Sequence, residues 1–236
     1  MRSIIPLDEL QKKMSAISSV VPGKSTMPIL SMVLIRAAEK ELTFSATDLD
    51  ISVTSNINGE VESEGAIAAP ARKITEIVKS LTGDEVVFET GGENLTITCG
   101  RSRFEINGRN AEEFPKLPKQ KSESEISIDI DLLEKMIQKT SYAVSTDLTR
   151  PALCGVLWRL GPDGMMMVST DGHRLAKLQI KKDMWKTGEA DVIIPPKALS
   201  TIRNFADGND EVTLKPAENS LSFNTNYSVV FSPLLE

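Results

Sequence analysis

The sequence predicts an α+β protein built from two copies of one unit, each with two helices packed on antiparallel sheets. Three observations carry this expectation. The chain matches itself when shifted by 123 residues, short runs alternate apolar and polar residues, and each half holds two amphipathic helical patterns.

The self-match is specific. Asp8-Glu9-Leu10 falls on Asp131-Leu132-Leu133, Pro28 and Leu30 on Pro151 and Leu153, and Leu34 and Arg36 on Leu157 and Arg159. Thr47-Asp48 falls on Thr170-Asp171. After a drift of two or three residues, Pro70-Ala71-Arg72 meets Pro195-Pro196-Lys197, and Asp84-Glu85-Val86 meets Asp210-Glu211-Val212. The join lies between Phe114 and Glu125, a stretch with two prolines and many charges. This predicts domains at 1–120 and 125–236.

The elements follow in order. Leu10, Met14, Ile17 and Val21 recur three or four apart, so a helix is expected from residue 7 to 21, with Asp8 and Glu9 at its positive end and Pro22-Gly23 as its stop. Strands are expected over Ile29 to Ile35, Leu42 to Ala46 and Ile51 to Ile57. A second helix runs from about Arg72 to Leu81, with Ile74, Ile77, Val78 and Leu81 on one face and Gly83 beyond its end. Strands Val86 to Glu89, Leu95 to Cys99 and Arg103 to Ile106 complete the first copy. The second copy repeats the plan: a helix with Leu133, Met136 and Ile137, strands, a helix with Leu199 and Ile202, then strands Val212–Leu214, Leu221–Phe223 and Val229–Phe231. Met165-Met166-Met167 reads as a strand with one face in the core, whereas Trp158 and Trp185 fit core or surface equally.

Composition narrows the function. Two cysteines, Cys99 and Cys154, are too few for a disulfide framework and fit a reducing compartment. No apolar run approaches the roughly 18 residues of a membrane span, and Met1 to Pro6 lacks the apolar core of a secretory signal, so a cytoplasmic protein is expected. The net charge of −6 argues against a uniformly basic nucleic-acid binder. The four helical segments nevertheless hold nine basic and five acidic residues, so they carry +4 and the rest of the chain −10. Placed side by side, such helices attract phosphate without reading bases; placed apart, they are ordinary solvated faces.

The chain's single histidine lies in Ser169-Thr170-Asp171-Gly172-His173-Arg174-Leu175, at the end of an apolar run. Thr-Asp is shared by both copies, as expected of an aspartate that closes a turn. Gly172, His173, Arg174 and Leu175 face Leu49, Asp50, Ile51 and Ser52 in the first copy, so this part is specialised in the second copy or has drifted. A hydrolase using His173 with Asp171 or Cys154 is the alternative of another class. Against it, Ser31 stands opposite Cys154 and no histidine accompanies it. One histidine and two distant cysteines make a poor zinc set, and no phosphate-binding Gly-x-x-x-x-Gly-Lys loop occurs.

The Thr170–Leu175 motif within a repeat resembles the bacterial DNA polymerase III beta subunit family, the sliding clamps. Pro28-Ile29-Leu30, Ala46-Thr47-Asp48-Leu49, Pro70-Ala71-Arg72-Lys73, Gly100-Arg101-Ser102-Arg103-Phe104 and Phe114-Pro115 share the likeness, in the same order and over the whole chain. The resemblance implies repeated DNA-clamp domains, no cofactor and no catalysis. It implies a ring round duplex DNA, closed by a homodimer of three-domain chains and loaded by a separate ATPase. This chain resembles the first two domains, so a fragment without the third, monomeric in solution, is the expectation. By the same resemblance, DNA polymerase subunits, the clamp loader and repair proteins dock short peptides carrying a glutamine and apolar residues. The second-domain side of that cleft maps to Leu153, Thr170, Gly172, His173, Arg174 and Leu175. Lys24, Lys73, Lys197 and Arg203 are the candidates for phosphate contact. The family's polar DNA contact just before Arg150 is not carried over, because Asp147 stands there.

Overall fold

The computed structural model describes residues 1–118, 125–161, 164–181, 190–205, 211–217 and 219–235. The chain forms two compact units, Met1–Pro118 and Lys119–Glu236.

The first unit begins with β1 (Arg2–Pro6) and α1 (Leu7–Ser18). A 3-10 turn at Pro28–Ser31 leads to β2 (Met32–Ala38), β3 (Glu41–Thr47), β4 (Ser52–Asn58), β5 (Glu60–Ser63) and β6 (Gly65–Pro70). Then come α2 (Ala71–Ser80), β7 (Glu85–Gly91), β8 (Asn94–Cys99) and β9 (Ser102–Asn107). The second unit holds β10 (Ile126–Asp129), α3 (Ile130–Thr140), β11 (Val156–Gly161), β12 (Gly164–Thr170), β13 (Leu175–Ile180), β14 (Ala190–Ile194), α4 (Pro196–Arg203), β15 (Glu211–Ala217), β16 (Ser220–Asn224) and β17 (Ser228–Pro233).

Strand order makes the duplication visible. In the first unit β4-β3-β2-β6 are neighbours in one sheet; in the second, β13-β12-β11-β14 follow the same order. The other sheets run β1-β7-β8-β9 and β10-β15-β16-β17, and the first unit adds β5 at its edge. The pairings within each unit are antiparallel. Each unit is therefore an α+β domain of two helices on antiparallel sheets.

Side chains from the two sheets of a unit meet in its core. Phe44 on β3 meets Phe88 on β7 edge to face, 6.1 Å between centroids. In the second unit Trp158 on β11 stacks on Phe223 of β16 at 6.5 Å. Trp158 is fully buried, which settles its place. Met165 and Met167 are buried and Met166 faces outward, as the alternation of a strand demands.

The helices close over these cores by their predicted faces. Leu10, Met14 and Ile17 of α1 are buried, as are Ile74 and Val78 of α2. Gln11 joins the two: its side-chain amide donates to the carbonyls of Val78 and Leu81 at 3.0 and 3.4 Å, capping the end of α2. In α3 the Asp129 carboxylate accepts the Leu132 N–H at 3.0 Å, an N-cap bond. In α4, Leu199 and Ile202 are buried.

Some expectations are corrected. The first helix stops at Ser18 rather than Val21, because both the N–H and the hydroxyl of Ser19 turn back to the Ala16 carbonyl. Val20 and Val21 still pack into the core, which is why the apolar period overran. The strand expected from Ile29 starts at Met32; Pro28 opens a 3-10 turn instead, and Ser31 Oγ closes it on the Pro28 carbonyl at 2.6 Å. Trp185, Asp210 and residues 119–124 of the join lie outside the described residues.

Candidate functional site

Between β12 and β13 the chain reverses through residues 171–174, and hydrogen bonding fixes each step. Thr170 Oγ1 accepts the Gly172 N–H at 3.1 Å and donates to the Arg174 carbonyl at 2.7 Å. Asp171 Oδ1 accepts the N–H groups of His173 and Arg174 at 2.9 and 3.0 Å. Its Oδ2 takes the Arg174 Nε at 2.9 Å. The two backbone N–H donors, with the arginine behind them, hold the Asp171 carboxyl at a pKa of about 2.

The first unit builds the same turn between β3 and β4. Thr47 Oγ1 accepts from Leu49 and donates to Ile51 O at 3.0 and 2.9 Å. Asp48 Oδ1 accepts from Asp50 and Ile51 at 3.0 and 2.7 Å. Leu49 and Gly172 occupy the same position, with φ of 80° and 90°. Gly172 is therefore a demand of the turn, met at higher cost by leucine in the first unit, and it is not part of what distinguishes the second.

What differs is the side chains displayed next. Ile51 and Ser52 are buried, whereas their counterparts Arg174 and Leu175 are exposed, Leu175 at 64%. His173 is exposed in place of Asp50. The Arg174 guanidinium reaches back across the surface: Nη2 donates to the Tyr142 carbonyl at 3.0 Å, and Cζ lies 5.8 Å from the centroid of the Tyr142 ring.

Tyr142 stands in a 3-10 turn at Ser141–Ala143 that follows α3. Leu153 enters the same neighbourhood by another route. Its carbonyl accepts the Ser145 N–H at 2.8 Å, and its N–H donates to Arg150 O at 3.0 Å. A Cβ built on Gly172 would stand 3.7 Å from the Arg150 guanidinium. The structure thus gathers Thr170, Gly172, His173, Arg174 and Leu175 on one turn, with the loop carrying Leu153 against it. Sequence reasoning missed Tyr142 and Arg150 as neighbours of this turn; one of only two tyrosines, placed just past a helix end, was the available signal.

The geometry disfavours the hydrolase alternative. Both Asp171 oxygens are committed to the turn and to Arg174, so the carboxylate does not orient the imidazole. The Cys154 thiol donates to the carbonyls of Asp147 and Arg150 at 3.3 and 3.7 Å. Asp147 in turn braces its own loop. Oδ1 accepts from the N–H and hydroxyl of Thr149, Oδ2 pairs with Arg150, and these contacts lower its pKa. Among the described residues no cluster of three or more His, Cys, Asp or Glu could hold a metal, and no helix is long and apolar enough to cross a membrane.

The basic candidates are exposed but not equivalent. Lys24 lies in the loop after α1, where a Cβ on neighbouring Gly23 would stand 3.1 Å from the Arg72 guanidinium. Arg72 is therefore the second cation of that spot. Lys73, one residue on, borders a hollow of about 260 Å³ shared with Ile77, Phe104 and Ile106. Lys197 sits in the first turn of α4. Arg203 pairs with Glu134 of α3 at 3.3 Å, so part of its charge is compensated.

Two units that share the same strand order apart from the extra edge strand β5 of the first, each closed by a pair of helices and only one carrying an exposed Arg-Leu turn, define the class as a duplicated clamp-type α+β protein. Comparison with known proteins agrees. Residues 1–118 match the model of the DNA polymerase III beta subunit N-terminal domain, and residues 127–236 that of its central domain. The beta sliding clamp of Bacillus subtilis is 34% identical over 246 residues, and that of Chlamydia muridarum 31% over 236. The whole chain is covered in both, but it spans only 65% and 64% of their lengths. The crystal structure of the Bacillus subtilis clamp superimposes with a TM-score of 0.94 at 32% identity, covering this whole chain and 65% of that one. A Pseudomonas aeruginosa clamp solved bound to griselimycin gives 0.92 at 28%, with the same coverage. The chain belongs to the DNA polymerase III beta subunit family.

Proposed function

We propose that this chain serves as part of a sliding clamp: it surrounds duplex DNA without reading sequence and, in the cytoplasm, tethers polymerases, the clamp loader and repair proteins through short peptides. It acts without catalysis or cofactor. The observation that carries the reading is the duplicated turn. A fold-only role needs the Thr-Asp frame, which both units have; the exposed His173, Arg174 and Leu175 go beyond it.

Leu175 supplies an apolar contact, Thr170 pairs with it across β12 and β13, Leu153 adds a second apolar group from the loop that carries Arg150, and Gly172 keeps the turn in the shape that displays Leu175. Phosphate attraction falls to Lys24, Lys73, Lys197 and Arg203, whose charges carry no base information. A ring of such helices slides because the attraction is the same at every step along the duplex.

The ligand side tests the reading. A labelled peptide with a glutamine and a Leu-Phe pair binds saturably, and an unlabelled copy displaces it. A copy with both apolar residues changed to alanine fails to compete. Equal competition by the two copies would overturn apolar docking.

A further inference from the structure

Resting on that docking reading, we infer that Tyr142 is a wall of the peptide-docking surface and that Arg174 is the residue that positions it. Tyr142 is 60% exposed, although the residues that flank it are held firmly. Ala143 next to it is fully buried, Ser141 Oγ donates to Ile137 O at 2.8 Å, and the buried Thr140 Oγ1 donates to Met136 O at 2.7 Å. The fold fixes this turn without using the ring. What holds the ring is Arg174, whose fork spans from Asp171 to the Tyr142 carbonyl with the cation over the aromatic face.

Two of the arginine's five N–H donors are spent inside the protein and its cation lies over the ring, an arrangement that suits a positioning role. The tyrosine, by contrast, offers an aromatic face at little conformational cost, the property that places such residues at the centres of recognition surfaces. Leu175 follows Arg174 directly and is exposed, so the residue that touches the Tyr142 ring adjoins the apolar group of the docking turn. Its occupant is the docked peptide, one of whose apolar side chains packs on the ring.

The test is a peptide titration on single and double variants of the full chain, with melting temperature as control. Tyr142→Ala weakens binding about tenfold and leaves the melting temperature unchanged; Tyr142→Phe restores wild-type affinity. Arg174→Ala weakens binding in the wild type but adds little in the Tyr142→Ala background, because its effect passes through the ring. Wild-type affinity in Tyr142→Ala, with Leu175→Ala impaired, overturns the inference and leaves docking intact. If Leu175→Ala is also unimpaired, or the wild type fails to bind, the docking reading falls with it.

Discussion

Leu49 and Gly172 stand at the same step of the same turn in the two units, both with left-handed φ, 80° and 90°. A leucine there is strained and a glycine is not. The prediction is that Gly172→Ala destabilises the chain by about 1–2 kcal/mol through φ alone. The nearest atom to the new Cβ is 3.7 Å away, so no clash contributes. Leu49→Gly changes stability little, since relief of strain is offset by the greater freedom of the unfolded chain. Urea denaturation of both variants checks this pair.

Asp171 predicts a pH dependence. Its carboxyl titrates at about 2 in the folded chain against an ordinary 3.8, so ionisation favours the folded turn. That contribution is fully present above pH 3.8 and disappears as the pH falls through about 2. The carboxyl carbon resonance of Asp171, followed by NMR, should titrate at the lower value, and in Arg174→Ala it should move part of the way back. A midpoint near 3.8 in the wild type would contradict the hydrogen-bond pattern.

The cations make separable predictions. Lys24→Ala and Arg72→Ala each weaken DNA binding at low salt and reduce the slope of log affinity against log salt by about one. Lys73→Ala has a smaller effect, because this lysine borders the hollow beside Phe104 and Ile106 rather than the Lys24 loop. Filter binding across a salt series distinguishes the three.

In the core, Trp158→Ala costs about 3–5 kcal/mol, the range for emptying a fully buried aromatic site. Thermal melts provide the check. Leu175→Ala, at an exposed position, leaves the melting temperature unchanged while weakening peptide binding.

Legibility followed the source of each element's stability. Helix faces such as Leu10-Met14-Ile17 and Ile74-Val78 were plain, because burial imposes a period that the sequence must show. The strands β1, β5, β6, β10 and β14 carry no such period: they are four to six residues long and polar or small on one side, and pairing with neighbours holds them. The Thr-Asp turn was legible because its bonds are local and occur twice. Tyr142 and Arg150 were not, because their closeness to Gly172 and Arg174 is a tertiary fact separated by 20 or more residues of chain.

The central claim is that side chains displayed after a shared turn make the second unit a docking platform. Calorimetric titration of the glutamine and Leu-Phe peptide into the double variant His173→Asp/Leu175→Ser tests it most directly. This variant places first-unit residues at two exposed positions of the second-unit turn and leaves the Thr170-Asp171 frame intact. The account predicts saturable binding by the wild type, no measurable heat of binding for the variant, and melting temperatures within a few degrees of each other. Equal binding by the folded variant would contradict it.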